Sequence, residues 1–251
     1  MKHSYVVVAA AAVFASGACN AENGGSGGSS PSEPVQAVAP PQGGDWTKVV
    51  SKTPQGGFVM GNPNASVKLV EFASMTCPHC AEFSEHGAEE LVNEYVKSGR
   101  VSFELRNFVR DPLDITLSLI ARCGGPQRFF PLTDAMFQSQ RQFFERVQAA
   151  AAPEQQALTQ LPPAQQFAGY ARLAGLQQWA AQRGVPSARQ QQCLANQGEI
   201  DQLVQMNGDT TSQYPDFKGT PSFVINGEMV ENAATWELLE PKLREALGER
   251  G

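Results

Sequence analysis

Two cysteines separated by two residues offer the most direct chemistry in this sequence. They belong to the motif Cys77-Pro78-His79-Cys80, which precedes a stretch with helical apolar spacing. Thiols one helical turn apart can alternate between a dithiol and a disulfide at little conformational cost, so the motif predicts a redox-active pair. Half of a zinc site is the alternative, but the sequence has neither a second CxxC motif nor a His-rich partner to complete it.

The order of residues in the motif predicts a different role for each. Cys77 would begin a helix, where unpaired N–H groups and the helix dipole favour a thiolate, so it is the predicted nucleophile. Cys80, one turn further, is expected to be more buried and protonated and to resolve a mixed disulfide. Pro78 fits the first helical turn, where its missing N–H costs nothing. His79 is expected to donate toward the Cys77 sulfur, and the alternative is a solvated surface histidine.

The residues around the motif predict the elements that must position it. The mostly apolar run at 67–73 is typical of a strand covered on both faces, although it contains Glu71. Helical apolar spacing runs from 78 to about 96, and the alternation at 101–109 predicts the next strand. A short edge strand is expected at 58–61. The cysteines would therefore lie between a buried strand and the helix that follows it.

A long segment at 112–214 is predicted to be helical throughout. It is rich in Ala, Gln, Leu and Arg and poor in β-branched residues, and it is too long for a simple crossover. Proline breaks at Pro153 and Pro162-Pro163 divide it into four or five helices. The expected helices are 115–121, 131–144, 165–182 and 188–207.

A β-hairpin and a final helix are predicted after this segment. Apolar runs at 222–225 and 229–230 flank Asn226-Gly227-Glu228, which is a strong hairpin signal. Residues 235–247 carry apolar side chains on one side at helical spacing, which predicts an amphipathic helix. The expected order is strand, helix, strand, helical insertion, hairpin and helix.

This order, the Cys-Pro-His-Cys motif and Gly219-Thr220-Pro221 before the hairpin resemble the DsbA-like branch of the thioredoxin superfamily. The resemblance covers about residues 45–247 and implies an α/β, thioredoxin-like fold with an inserted helical subdomain at about 112–214. It also implies that Pro221 is a cis-proline facing the redox pair. By the same resemblance Glu71 matches the buried acidic residue under the active site, where it could relay protons for Cys80. A Glu71 that is paired on a sheet edge is the alternative.

The resemblance implies a thiol:disulfide oxidoreductase that donates its Cys77–Cys80 disulfide to reduced exported proteins. It would need no cofactor and would be re-oxidised by a membrane quinone-linked partner. Thr220 departs from the Val that DsbA oxidases often carry before the cis-proline and is more familiar in isomerase-like and reductase-like relatives. An isomerase or reductase is therefore one alternative. A metal- or haem-delivery lipoprotein that uses the thiols as ligands, and a structural surface module, are others.

The first 44 residues predict export. Residues 1–18 have the layout of a signal peptide, with Lys2 before an apolar run that is too short to span a bilayer. Cys19 follows small residues as in a lipobox, so it is the predicted lipidation site, with cleavage after Ala18 and no lipid as the alternative. The Gly-, Ser- and Pro-rich stretch at 19–44 is interpreted as a flexible tether. We therefore expect a periplasmic, membrane-tethered protein.

The remaining cysteines and the charge complete the predictions. Cys123 and Cys193 are left over once the lipid and redox cysteines are assigned, which favours a second disulfide in an oxidising compartment. Two small buried hydrophobic side chains are the alternative.

A net charge of -6 with 19 Lys and Arg excludes an obvious nucleic-acid footprint. No N-terminal dimerisation domain is recognisable, which favours a monomer.

Overall fold

A six-stranded mixed sheet forms the centre of the fold in the computed structural model, which describes residues 34–249. Its strands are β1 (Val50–Lys52), β2 (Phe58–Gly61), β3 (Val67–Ala73), β4 (Val101–Asn107), β5 (Ser222–Ile225) and β6 (Glu228–Val230). They lie in the order β1-β2-β4-β3-β5-β6. β3 and β4 are parallel, and the other neighbouring pairs are antiparallel. The predicted thioredoxin-like α/β fold is confirmed.

Helices cover the sheet and fill the long segment between β4 and β5. They are α1 (Pro78–His86), α2 (Ala88–Glu90), α3 (Pro112–Cys123), α4 (Pro126–Ala149), α5 (Ala152–Leu158), α6 (Pro163–Leu173), α7 (Leu176–Ala181), α8 (Ser187–Leu194), α9 (Gln197–Gln213) and α10 (Trp236–Ala246). α2 continues into π-helical turns at Leu91–Val96, and short 3₁₀ turns lie at Pro41–Gly43 and Trp46–Lys48.

Strand β3 is buried on both faces, as its apolar composition predicts. Leu69 belongs to the main core, which also contains side chains of α1, α4 and α10. On the opposite face, Val70 and Phe72 belong to a smaller apolar cluster that includes Tyr214. Because successive side chains of a strand point to opposite faces, Glu71 faces the same side as Leu69. This alternation places a carboxyl group among apolar side chains.

Two details near the sheet differ from the predictions. The expected edge strand at 58–61 is β2, which β1 flanks, so the edge belongs to the short and largely exposed β1. The expected continuous helix at 78–96 is interrupted at Gly87. A Cβ at this position would lie 2.6 Å from the Cβ of Trp236, so the glycine allows α10 to pack closely against the interruption.

Seven helices lie between β4 and β5 in the described chain, more than the four or five expected. The expected helix at 165–182 ends early because Gly175 adopts a left-handed conformation with φ of 68°, which α6 cannot continue through. The expected helix at 188–207 is divided at Asn196, whose side chain accepts a hydrogen bond from the Glu199 N–H and caps α9. Apolar spacing alone does not reveal these local signals.

Cys123 and Cys193 form a disulfide that joins α3 to α8. Their Cα atoms lie 5.7 Å apart, within the usual range for a disulfide. The disulfide therefore connects α3, the first helix of the insertion, to α8, near the end of the insertion.

The described chain begins within the predicted tether. The Val35 N–H donates to the Leu247 carbonyl and the Val38 N–H to the Ser98 carbonyl, both at 2.8 Å. Val35 and Val38, within the predicted tether, are thus hydrogen-bonded to the folded unit. The expected signal peptide at 1–18 and Cys19 lie outside the described residues. Between residues 34 and 249, no helix is long and apolar enough to cross a membrane.

Candidate active site

Cys77 occupies the N-cap of α1, as its position in the motif predicts. The loop after β3 brings it there with φ of -91° and ψ of 118°, and Pro78 opens the first turn of the helix. Both cysteines are buried, with relative exposures of 2 % for Cys77 and 0 % for Cys80. The backbone carbonyl of Thr220 lies 3.1 Å from the Cys77 sulfur and accepts a hydrogen bond from it when the sulfur is protonated.

The surroundings of Cys77 favour its thiolate and lower its pKa to about 5. The largest cause is the hydrogen bond from the Cys80 thiol, with further contributions from the Thr220 side chain and from the backbone N–H groups of Cys80 and His79. Burial opposes this effect because it penalises the charged form. Cys77 therefore has the protonation state of a nucleophile near neutral pH.

The surroundings of Cys80 have the opposite effect. Burial raises the pKa of the Cys80 thiol well above its ordinary value, and the hydrogen bond to Cys77 and the nearby charge of Glu71 add to this shift. One turn of helix thus separates an anionic sulfur from a protonated one. This asymmetry suits a pair in which Cys77 exchanges with a substrate and Cys80 resolves the mixed disulfide.

Glu71 lies in the middle of the sheet, between Leu105 of β4 and Phe223 of β5. The alternative of a Glu71 paired on a sheet edge is therefore wrong. Its side chain is buried, and its Oε1 atom has no hydrogen-bond partner in the described part of the chain. Burial raises the pKa of Glu71 to about 8, and the nearby Cys77 thiolate acts in the same direction. The carboxyl group also borders a cleft of about 990 Å³ between α1 and α4.

The imidazole of His79 does not lie where the sequence predicts. Its side chain is 74 % exposed, and Nδ1 lies 3.3 Å from Oε2 of Glu82. No hydrogen bond joins this imidazole to Cys77 among the described contacts. Because His79 is the second residue of α1, its backbone N–H points toward the N-cap sulfur while its side chain points outward. The described contact with Cys77 is made by the backbone.

The Thr220–Pro221 peptide bond is cis. β5 begins at the next residue and pairs with β3, with Ser222 opposite Phe72. This antiparallel register carries Thr220, which is 143 residues away in the sequence, to the Cys77 sulfur. Long-range strand pairing therefore assembles both halves of the candidate site.

Three residues that lie beside the site were not predicted from the sequence. Arg110, Asp114 and Gln140 hydrogen-bond to the loop that leads into Cys77. Only the Asp111-Pro112 pair, an N-cap followed by a helix-opening proline, indicated locally that a helix begins close to this position. The glutamine lies in mid-helix among many similar residues and carries no recognisable signal.

The chain belongs to the thioredoxin family whose model matches residues 53–244. Among curated proteins it is 28% identical over 187 residues to a protein of Rickettsia prowazekii named "Putative protein-disulfide oxidoreductase", covering 74% of this chain and 60% of that protein. A protein of the same name from Rickettsia felis is 27% identical over 186 residues, covering 74% of this chain and 58% of that one. The chain thus spans about three fifths of the length of these relatives.

Solved structures give the same assignment of fold. Protein-disulfide isomerase from Novosphingobium aromaticivorans is 34% identical with a TM-score of 0.72, covering 76% of this chain and 97% of that one. Alpha-DsbA1 of Wolbachia pipientis is 18% identical with a TM-score of 0.62, and the match covers 78% of this chain and 92% of the Wolbachia protein. The helical insertion thus belongs to a known architecture.

Proposed function

We propose that this chain is an exported thiol:disulfide oxidoreductase that passes its Cys77–Cys80 disulfide to reduced proteins. The observation that carries the proposal is the asymmetric pair, with the pKa of Cys77 lowered to about 5 and that of Cys80 raised. A stabilised thiolate favours the reduced form of the pair, which makes its disulfide a better oxidant. The names of the Rickettsia relatives support the same reaction class.

The exchange proceeds in two displacements. A substrate thiolate attacks the Cys77 sulfur, the Cys77–Cys80 bond breaks, and Cys80 leaves and takes up a proton. A second substrate thiolate then attacks the substrate sulfur of the mixed disulfide and releases Cys77 as a thiolate. Two electrons pass from the substrate to the pair, and the substrate gains one disulfide.

Glu71 and the Thr220–Pro221 peptide serve these steps. The buried Glu71 carboxyl influences both thiols and is suited to supply the proton that Cys80 takes up. The backbone around Thr220 faces the Cys77 sulfur, where an extended substrate segment can pair with it. Pro221 is buried and therefore holds this backbone in place.

The decisive experiment mixes the oxidised protein with a reduced, unfolded test substrate that forms disulfides in its native state. We expect disulfides to appear in the test substrate as Cys77 and Cys80 become free thiols, quantified by alkylation and mass spectrometry. Cys77→Ser should abolish transfer. Cys80→Ser has no disulfide to donate and should trap a mixed disulfide at Cys77 when it is mixed instead with substrate that already carries its disulfides, because the Cys77 thiolate then attacks a substrate disulfide and no Cys80 thiol is present to release it. Oxidised protein that leaves the substrate reduced, or a mixed disulfide through Cys80, would contradict the proposal.

Disulfide isomerisation is the second candidate. It is favoured by Thr220 before the cis-proline and by the Novosphingobium isomerase as a structural neighbour. An isomerase acts in its dithiol form, so the reduced protein would rescue a substrate with wrongly paired disulfides. A reduction potential close to that of thioredoxin, about -270 mV, would favour this candidate or a reductase over the oxidase.

Export, lipidation and re-oxidation complete the proposal. Residues 1–18 would direct export, Cys19 would carry the lipid, and a quinone-linked membrane partner would re-oxidise the pair in the periplasm. The mature N-terminus can be determined by mass spectrometry of the protein purified from membranes. A lipid-modified Cys19, lost in Cys19→Ser, would support the anchor, whereas an unmodified N-terminus would contradict it.

A further inference from the structure

The loop that joins β3 to Cys77 is held by side chains from outside the strand and helix that it connects. This loop, Ser74–Thr76, is buried, and so is the backbone of Cys77. Its donors and acceptors therefore need protein partners. Gln140 of α4 and Asp114 of α3 supply them, so the helical insertion contacts the redox site directly.

Gln140 contacts the nucleophilic residue itself. Its Nε2 atom donates to the Met75 carbonyl at 2.9 Å and to the Cys77 carbonyl at 3.0 Å. The same Cys77 carbonyl accepts the first hydrogen bond of α1, from Ala81, at 3.2 Å. Gln140 is buried, with 6 % exposure, and both of its amide hydrogens are used. It therefore fixes the peptide plane from which the Cys77 side chain projects.

Asp114 holds the other end of the loop. One carboxyl oxygen accepts from the Met75 N–H at 2.9 Å, and the other accepts from the Ser74 hydroxyl and from the Arg110 N–H. The Arg110 side chain donates in turn to the Ser74 hydroxyl and to the Thr76 carbonyl. Met75 is thus held on both sides, through its N–H by Asp114 and through its carbonyl by Gln140.

We propose that Gln140 is a positioning residue that holds the Cys77 backbone so that its sulfur faces the N–H groups at the start of α1. The inference rests on the proposed thiol chemistry of Cys77. Hydrogen bonds to the sulfur weaken steeply with distance and angle, so a small rotation of the Cys77 peptide reduces several of them together. Removing the Gln140 donors takes the hydrogen bond from the buried Met75 carbonyl and leaves the Cys77 carbonyl with only the bond from Ala81, which permits that rotation.

The test compares Gln140→Met with Gln138→Met. Methionine retains similar length but cannot donate. Gln138 lies exposed on the same helix, and its side chain is hydrogen-bonded only to Asp134 among the described residues. We expect Gln140→Met to slow alkylation of Cys77 at pH 4 by about threefold to tenfold, because below a pKa of about 5 the thiolate fraction falls about tenfold for each unit by which that pKa rises. In the same variant, the equilibrium between the Cys77–Cys80 pair and glutathione should shift toward the Cys77–Cys80 disulfide by a similar factor. Gln138→Met should match the wild type in both measurements.

Unfolding of the oxidised and reduced forms separates positioning from packing. A positioning role predicts that Gln140→Met destabilises the reduced form more than the oxidised form. Equal destabilisation with unchanged Cys77 alkylation would overturn the proposal. If the methionine variant does not fold, Gln140→Glu is the second variant, since a protonated carboxyl can donate one of the two hydrogen bonds. It should show a smaller effect at low pH than at neutral pH, and a wild-type alkylation profile would overturn the proposal.

The same measurements keep this inference distinct from the proposed function. If the wild-type protein does not oxidise the test substrate, the proposed function fails. The positioning role of Gln140 still stands if Cys77 alkylation differs between the two methionine variants. If the wild type is active and both variants react alike, the positioning role alone is wrong.

Discussion

At the residue scale, three ionisable groups share one small buried space. The N-terminus of α1 and the Cys80 thiol favour an anion at Cys77, whereas burial disfavours an anion at Cys80 and at Glu71. Near neutral pH the three groups therefore carry one negative charge in total, on Cys77. When a reaction step places the negative charge on Cys80, the nearby Glu71 carboxyl can donate a proton to that sulfur.

The first prediction concerns the source of the Cys77 acidity. In the reduced protein the ultraviolet absorbance of the thiolate should rise with a midpoint near pH 5, and alkylation about one unit above it should label Cys77 and spare Cys80. Cys80→Ala removes the largest stabilising hydrogen bond and should raise the midpoint by about one unit or more. An unchanged midpoint in this variant would mean that the helix N-terminus and the Thr220 side chain account for the acidity without the Cys80 thiol.

The second prediction concerns the pH dependence of stability. The folded pKa of Glu71, about 8, lies above its unfolded value, so the folded state keeps a proton that the unfolded chain has lost. In the oxidised protein, where the Cys77 and Cys80 sulfurs do not titrate, the unfolding free energy should therefore fall between about pH 5 and 8, by at most about 1.4 kcal/mol per pH unit from this group. Glu71→Gln should flatten the slope, as measured by urea unfolding at several pH values. The buried Asp114, with a pKa raised to about 7, would leave a residual slope below pH 7.

At the element scale, individual residues decide where the helices of the insertion begin and end. Pro163 opens α6, Gly175 separates α6 from α7, and the Asn196 side chain caps α9. The abundance of Ala, Gln, Leu and Arg and the scarcity of β-branched residues predict that 112–214 is helical, and α3 to α9 occupy this segment. The predicted number of helices, four or five, is lower than the seven described because a single glycine or asparagine divides a segment whose composition favours helix throughout.

The third prediction compares two glycines of this insertion. Gly175 has φ of 68° and faces the Arg146 side chain, so Gly175→Ala should lower the unfolding free energy by about 1–2 kcal/mol. Gly208 lies exposed within α9 with open space around it, so Gly208→Ala should raise it by about 0.5–1 kcal/mol. Thermal or urea unfolding of both variants checks the opposite signs, and a stabilising Gly175→Ala would contradict the left-handed conformation.

At the scale of the whole molecule, the insertion contacts the sheet in the main core and the redox loop through Gln140 and Asp114. Phe129 of α4 stacks on Phe58 of β2 with ring centroids 4.1 Å apart. The aromatic side chains of the insertion thus contribute to the core. Changes in the packing of α4 are therefore expected to reach the redox site.

The fourth prediction concerns the disulfide that closes part of the insertion. Cys123 and Cys193 are 70 residues apart, so replacing both with Ala removes a constraint worth about 4 kcal/mol on the unfolded chain. We expect the unfolding free energy to fall by about 2–4 kcal/mol, with the midpoint for Cys77 alkylation unchanged. A large shift in that midpoint would mean that the disulfide also controls the redox site.

Local sequence determined the parts of this protein that depend on neighbouring residues. The CxxC spacing and the helix start at Pro78 predicted that Cys77 lies at the N-cap of a helix and Cys80 one turn further along it. Asn226-Gly227, both with positive φ in the structure, predicted the β5–β6 turn. These features arise from backbone conformation over a few residues, which composition and spacing report directly.

Only the tertiary structure decided the surroundings of the redox pair. It placed Glu71 at the centre of the sheet, turned the His79 imidazole toward Glu82, and brought Gln140 to the Cys77 carbonyl across 63 residues of sequence. Such contacts depend on how helices pack on a sheet, and side-chain spacing along one element carries no information about its partner. The cysteine pair and its place at the start of a helix were therefore predictable from the sequence, whereas the groups that surround and hold the pair were defined by long-range packing.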